Sequence, residues 1–219
     1  MTRYRIDKKS YTPAQQRFMQ TWLKRPTPEQ PLIYSCVEYI RDVIPIDIRQ
    51  TYYDQLTALS QWAQPTVNVY GAKKQPRETC AFGLSRNQAI EYSGATIRVD
   101  EHYPDVVKAI KDIVEARSKL TFNNVLLNKY RNGEDCVGAH IDKFQGRLYS
   151  GTIIGVSLGA KRDIVFRVKT GEHNIARKLT LEPGSMYIMY PDVHKHYTHE
   201  ISRQTNVHTG RISLTFRTL

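Results

Sequence analysis

Residues 124–144 read NVLLNKYRNGEDCVGAHIDKF, 194–201 read HKHYTHEI, and 211–217 read RISLTFR. Just upstream, Pro104 opens DVVKAIKDIVEARSKL, where Val106, Val107, Ile110, Ile113 and Val114 recur at helical spacing. Past Phe122 the apolar period falls from helical to two, which predicts strands from there to the end of the chain. The chemistry-bearing residues lie in this strand-rich half.

In GAHID, a spacing of two on an extended chain puts His140 and Asp142 on one face. That pair needs a third partner before it suggests a metal. The candidates are His173, His194, His196, His199 and His208. Alternation along VHKHYTHEI puts Tyr197, His199 and Ile201 on the apolar, inward face, with His194 and His196 on the exposed one. His173 and His208 fall in polar turns. His199 is therefore the expected third ligand. Two imidazoles and one carboxylate describe the facial triad of non-haem Fe(II) oxygenases.

An iron of that kind draws two electrons from a cosubstrate, commonly 2-oxoglutarate. In RISLTFR, alternation puts Arg211, Ser213, Thr215 and Arg217 on one face and Ile212, Leu214 and Phe216 on the other. Inward arginines are costly without anions to pair with. They stand ~20 Å apart along an extended strand, so their arms must converge, and a dicarboxylate suits their guanidinium forks. The alternative, with both arginines facing solvent, is disfavoured because the companion apolar face is only three residues deep. Asn128 and Tyr130 share a face and can donate to the same ligand.

The chain has 219 residues, 40% of them apolar, which is enough for a full core. No apolar run reaches the ~18 residues of a membrane span, and no apolar stretch follows the basic N-terminus as a secretory signal requires. Three cysteines without paired spacing fit a reducing compartment and exclude a cysteine-rich zinc site. The expected address is intracellular, cytoplasmic or nuclear rather than secreted, with a monomer as the default. A net charge of +11 favours a polyanionic partner.

Upstream, a helix is expected from Thr12, a strand over LIYSCVEYI (32–40), and an amphipathic helix from Asp47, with Ile48, Tyr52, Leu56, Leu59 and Trp62 on its apolar side. A hairpin is expected from Pro65 with Gly71 in its turn. Its tip sets Tyr70 beside Lys73 and Lys74, a pairing suited to base stacking and phosphate contact.

The ordered blocks LLNKYRNGEDCVGAHID, VSLGAKRDIVFR, LEPGSMYIM, HYTHEI and RISLTFR resemble the AlkB-like family of Fe(II)- and 2-oxoglutarate-dependent nucleic-acid dealkylases. The resemblance spans residues 65–219. It implies an α+β fold: a double-stranded β-helix (jelly-roll) core with N-terminal helices and a nucleotide-recognition lid. Residues 1–64 would be a basic, helical extension and 65–219 the dioxygenase domain, with the lid at about 65–100. By position, His140, Asp142 and His199 look like the iron ligands. Asn128, Tyr130, Arg211, Thr215 and Arg217 look like the 2-oxoglutarate ligands.

The implied reaction uses Fe(II), O₂ and 2-oxoglutarate to remove an N-alkyl group from DNA or RNA, releasing formaldehyde, succinate and CO₂. The base must be flipped or single-stranded to reach such a site. Tyr92 matches the aromatic that stacks on it, Tyr70 the finger that fills the gap, and Arg77 a lid arginine. Lys143 and Phe144 stand where repair members carry acidic residues, so the substrate preference is expected there; a lysine repels a cationic base. Two further readings are a hydroxylase of a modified tRNA base or a protein side chain, and a non-catalytic nucleic-acid-binding relative.

Overall fold

The structure, a computed structural model, describes residues 33–68, 72–74, 77–83, 89–92, 95–144, 147–169 and 175–219. The helix expected from Thr12, the turn glycine Gly71 and the tip residue Tyr70 lie outside these residues.

A short helix α1 (Ile33–Cys36) leads into strand β1 (Val37–Ile40), and helix α2 (Arg49–Thr57) follows. Next come the hairpin strands β2 (Thr66–Asn68) and β3 (Ala72–Lys74), then β4 (Glu78–Gly83), β5 (Ala89–Tyr92), β6 (Ala95–Asp100) and helix α3 (Asp105–Ser118). Strands β7 (Asn124–Tyr130), β8 (Val137–His140), β9 (Lys143–Phe144), β10 (Arg147–Leu148), β11 (Ile153–Gly159) and β12 (Arg162–Val168) follow. The chain ends with β13 (Ile175–Leu181), β14 (Ser185–Met189), helix α4 (Asp192–His196), β15 (Tyr197–Ile201) and β16 (Arg211–Arg217).

Eight strands form one sheet in the order β1-β14-β11-β16-β7-β4-β6-β5, and four form a second in the order β13-β12-β15-β8. Among the described residues, every pairing is antiparallel except β4 with β6. Two facing, mostly antiparallel sheets make the jelly-roll core that the resemblance implies. Two helices cover the outer face of the larger sheet. Val106, Val107, Ile110 and Val114 of α3 and Leu56 of α2 pack on Val125 and Leu127, on Val156, and on Ile212, Leu214 and Phe216. Each such side chain contributes on the order of 1.5–3 kcal/mol by leaving water. The inner face meets the smaller sheet through Tyr130, Tyr187 and Met189 on one side and Val137, Ile164, Phe166 and Ile201 on the other.

The expected strand over 32–40 is half right. Ile33–Cys36 is one helical turn, and only Val37–Ile40 extends, paired to β14 from Val37↔Met189 to Ile40↔Met186. Helix α2 stops at Thr57, yet Leu59 and Trp62 still pack on the core beyond its end. Trp62 Nε1 donates to the Leu56 carbonyl at 2.8 Å, which folds the segment back. Helix α3 starts after Pro104, as the sequence indicates. Among the described residues, no helix is long and apolar enough to cross a membrane.

Candidate metal centre

Strand β8 ends on His140, and β15 runs antiparallel beside it with His199 directly opposite. Asp142 follows two residues after His140, at the mouth of the smaller sheet. One ligand atom from each of the three lies within 4.8 Å of the others. His199 Nε2 stands 3.3 Å from Asp142 Oδ2, and the two imidazole centroids are 4.3 Å apart. The Gly138 carbonyl accepts from His140 Nδ1 at 2.9 Å. An accepting carbonyl requires the proton on Nδ1, which leaves Nε2 basic for a cation.

The electrostatics complete the set. Burial alone would raise the Asp142 pKa, but Arg217, then His199, His140 and His194 outweigh it and hold the carboxyl well below its usual range. Burial pushes His199 and His140 down, His199 furthest, so both rings are neutral. One carboxylate and two neutral imidazoles are the protonation states that a divalent cation needs. Asp142 Oδ1 pairs with Arg217 Nη2, while Oδ2 is buried and accepts no hydrogen bond. A desolvated carboxylate oxygen left without a donor fits a cation held between these three residues.

Cross-strand rows on the inner face of the larger sheet assemble the polar wall opposite. Arg211 pairs with Tyr130 and Ser213 with Asn128, while Thr215 pairs with Gly155, which pairs with Tyr187. Arg211 is 1% exposed, its Nε donates to Ser157 Oγ at 2.8 Å, and its guanidinium sits 5.1 Å over the Tyr130 ring. Its buried Nη1 has no hydrogen-bond partner. A desolvated cation with an unmatched donor fits an anionic group in this cavity, which Asn128, Thr215 and Arg217 also line. All seven residues of β16 are buried, because helices cover one face and the second sheet the other. The alternative with solvent-facing arginines is thereby excluded.

The substrate candidates are distributed differently. Arg77 is buried rather than superficial: its Nε donates to Asn128 Oδ1 at 2.7 Å and its Nη1 to the Cys136 carbonyl at 3.2 Å. Lys143 is exposed on β9, directly opposite Leu148 of β10. Strand β5, which carries Tyr92, packs against β9, which carries Lys143 and Phe144. The side chains of Tyr92 and Phe144, and Tyr70 entirely, lie outside the described residues.

One expectation fails. His194 is not exposed: it is 0% exposed, and His196 is half-buried. Helix α4 interrupts the period of two before Tyr197, so the alternation that correctly orients Tyr197, His199 and Ile201 does not extend back to His194. The signal was Pro191 followed by Asp192, a helix-start pattern. Tyr187 was also missed. It lines the same cavity, and a Cβ on Gly155 would stand 2.2 Å from its Cζ. Its ring lies flat across β11, where only a glycine leaves room.

Residues 36–217 match the family described as the 2OG-Fe(II) oxygenase superfamily. The chain belongs to that superfamily. The family's two cofactors are Fe(II) and 2-oxoglutarate, and the triad and the arginine-lined wall fit them. Among similar curated proteins is "DNA oxidative demethylase ALKBH2" of Arabidopsis thaliana, 31% identical over 207 residues, covering 82% of this chain and 65% of the relative. The Homo sapiens protein of that name is 33% identical over 158 residues, covering 69% and 60%. Human "Alpha-ketoglutarate-dependent dioxygenase alkB homolog 3" is 27% identical over 184 residues, covering 80% and 63%. The chain thus spans less than two thirds of the length of these relatives. A solved structure, "The structure of OsALKBH1", aligns with a TM-score of 0.55 at 19% identity, covering 84% of this chain and 98% of that one, and supports the fold.

Proposed function

We propose that this protein oxidatively demethylates N-alkylated bases in DNA or RNA. The observation that carries the reading is the His140–Asp142–His199 cluster, two of its three residues buried, facing an arginine-lined wall, in a chain whose relatives are named DNA oxidative demethylases. Fe(II) with 2-oxoglutarate and O₂ supplies the oxidant that hydroxylates the N-methyl carbon, and formaldehyde, the unmodified base, succinate and CO₂ result.

In this reading His140, Asp142 and His199 hold the iron. Arg211, with its unmatched Nη1, binds a carboxylate of 2-oxoglutarate, and Asn128, Tyr130, Thr215 and Arg217 complete that pocket. Arg217 also holds Asp142 ionised. Arg77 acts through Asn128 and orients it. Residues of about 65–100 form the lid, with Tyr92 and Tyr70 contacting the base and Lys143 and Phe144 flanking it. The exposed ammonium of Lys143 favours a neutral methylated base over a cationic one, or contact with a phosphate.

Incubation with Fe(II), 2-oxoglutarate and oligonucleotides bearing cationic or neutral N-methylated bases tests this. Loss of one methyl mass with matching succinate is the expected result, faster on the neutral base. Succinate release without any base repair would move the substrate to another class, such as a modified tRNA base or a protein side chain.

A further inference from the structure

His194 is a buried titratable group that neither the triad nor the arginine wall uses. It is fully buried, and neither ring nitrogen has a hydrogen-bond partner. Its Nδ1 lies 3.9 Å from Asp142 Oδ2, the oxygen that faces His199 and accepts no hydrogen bond. Tyr149 stands edge-on to the ring at 6.2 Å, and His199 lies 6.2 Å away on another side. Lys169 Nζ donates to the His194 carbonyl, which ties down the helical turn that carries the ring.

A buried donor left unmade costs about 1–3 kcal/mol, so an apolar residue would pack here more favourably unless the imidazole acts on something. The unmatched oxygen of Asp142 is a polar neighbour of its Nδ1, 3.9 Å away. His194 stands outside the group whose ligand atoms lie within 4.8 Å of one another, so it sits beside the ligands rather than among them.

We propose that His194 is a positioning residue of the metal centre, its Nδ1–H directed at the metal-facing oxygen of Asp142. This rests on the metal reading of the triad. The 3.9 Å gap exceeds a hydrogen bond by about 1 Å, a distance that a small rotation of either side chain closes. Arg217 then fixes Oδ1 and His194 fixes Oδ2, so the plane of the carboxylate is set from both sides. Such outer partners orient a ligand, and their loss weakens metal binding by about 10–100-fold.

Co(II), a spectroscopic substitute for Fe(II), tests this by titration into the wild-type protein, His194→Leu and His194→Asn. Leucine fills the space without a donor, whereas the asparagine Nδ2–H falls near the position of the imidazole Nδ1–H. His194→Leu is expected to bind Co(II) about 10–100-fold more weakly and to shift its visible bands, with the far-ultraviolet spectrum unchanged. His194→Asn is expected to recover most of the affinity. His194→Phe replaces leucine if that variant does not fold, and failing both, His194→Asn against wild type decides.

Leucine binding as tightly as wild type would overturn the proposal, and so would asparagine losing as much as leucine, which would indicate packing or direct ligation. A wild-type protein that binds no Co(II) would remove the metal reading itself, and this inference with it.

Discussion

Asp142 is the residue on which the centre turns. It draws Arg217 to one oxygen and presents the other to His199 at 3.3 Å. His199→Ala should therefore weaken Co(II) binding and slow turnover by more than the roughly 100-fold of an outer partner. His196→Ala, half-buried and outside the cluster, should leave both near wild type. Equal losses in the two variants would mean that the strand register is wrong. Arg211→Ala should raise the Kd for 2-oxoglutarate by about 10–150-fold, the equivalent of one charge-assisted bond of roughly 1.5–3 kcal/mol. Calorimetric titration in the presence of a redox-inert metal measures it, and metal affinity should hold. The triad and the arginines were legible because period-two alternation and residue type agreed at His140, His199, Arg211 and Arg217. Arg77 was named as a lid arginine, but its burial against Asn128 was not legible, because a buried arginine serving Asn128 reads locally like any surface arginine.

At the scale of elements, β16 explains why the polar wall exists. Its apolar face packs under α2 and α3, and its polar face looks onto the second sheet. Sequence alternation separated the two faces of this strand correctly. It favoured inward arginines but could not reveal what covers the apolar face, since that is supplied by helices at 49–57 and 105–118, far upstream in the chain. Helix α4 was passed over for a different reason: at five residues it is too short to display a helical period, its Pro191–Asp192 start was the one local sign, and the strand pattern was carried straight through it.

Two substitutions test the packing between elements. Gly155→Val must displace the Tyr187 ring and should cost about 1–3 kcal/mol in urea unfolding, together with weaker 2-oxoglutarate binding. Arg162, 1% exposed, donates to the carbonyls of Asn132, Asp135 and Ser202 and to Gln204 Oε1, tying the loop after β7 to the loop after β15. Arg162→Met leaves the Asp135 carbonyl buried without this donor and removes three part-buried bonds besides, so a loss of about 2–3 kcal/mol is expected by the same measurement.

For the whole molecule, two facing sheets hold the candidate metal centre between them, in a chain of net charge +11. Oligonucleotide binding should weaken steeply with salt. Lys143→Ala should reduce the single-strand slope by about 0.7 if its ammonium meets one phosphate, and an unchanged slope would assign Lys143 to the base. The most direct test of the central claim is one reaction containing the protein, Fe(II), 2-oxoglutarate, O₂ and an N-methylated oligonucleotide, followed by mass spectrometry. Succinate, formaldehyde and unmodified base should appear in equal amounts with wild type and be absent with His199→Ala. Succinate appearing at the same rate with and without the oligonucleotide, while the methyl group stays on the base, would contradict a demethylase.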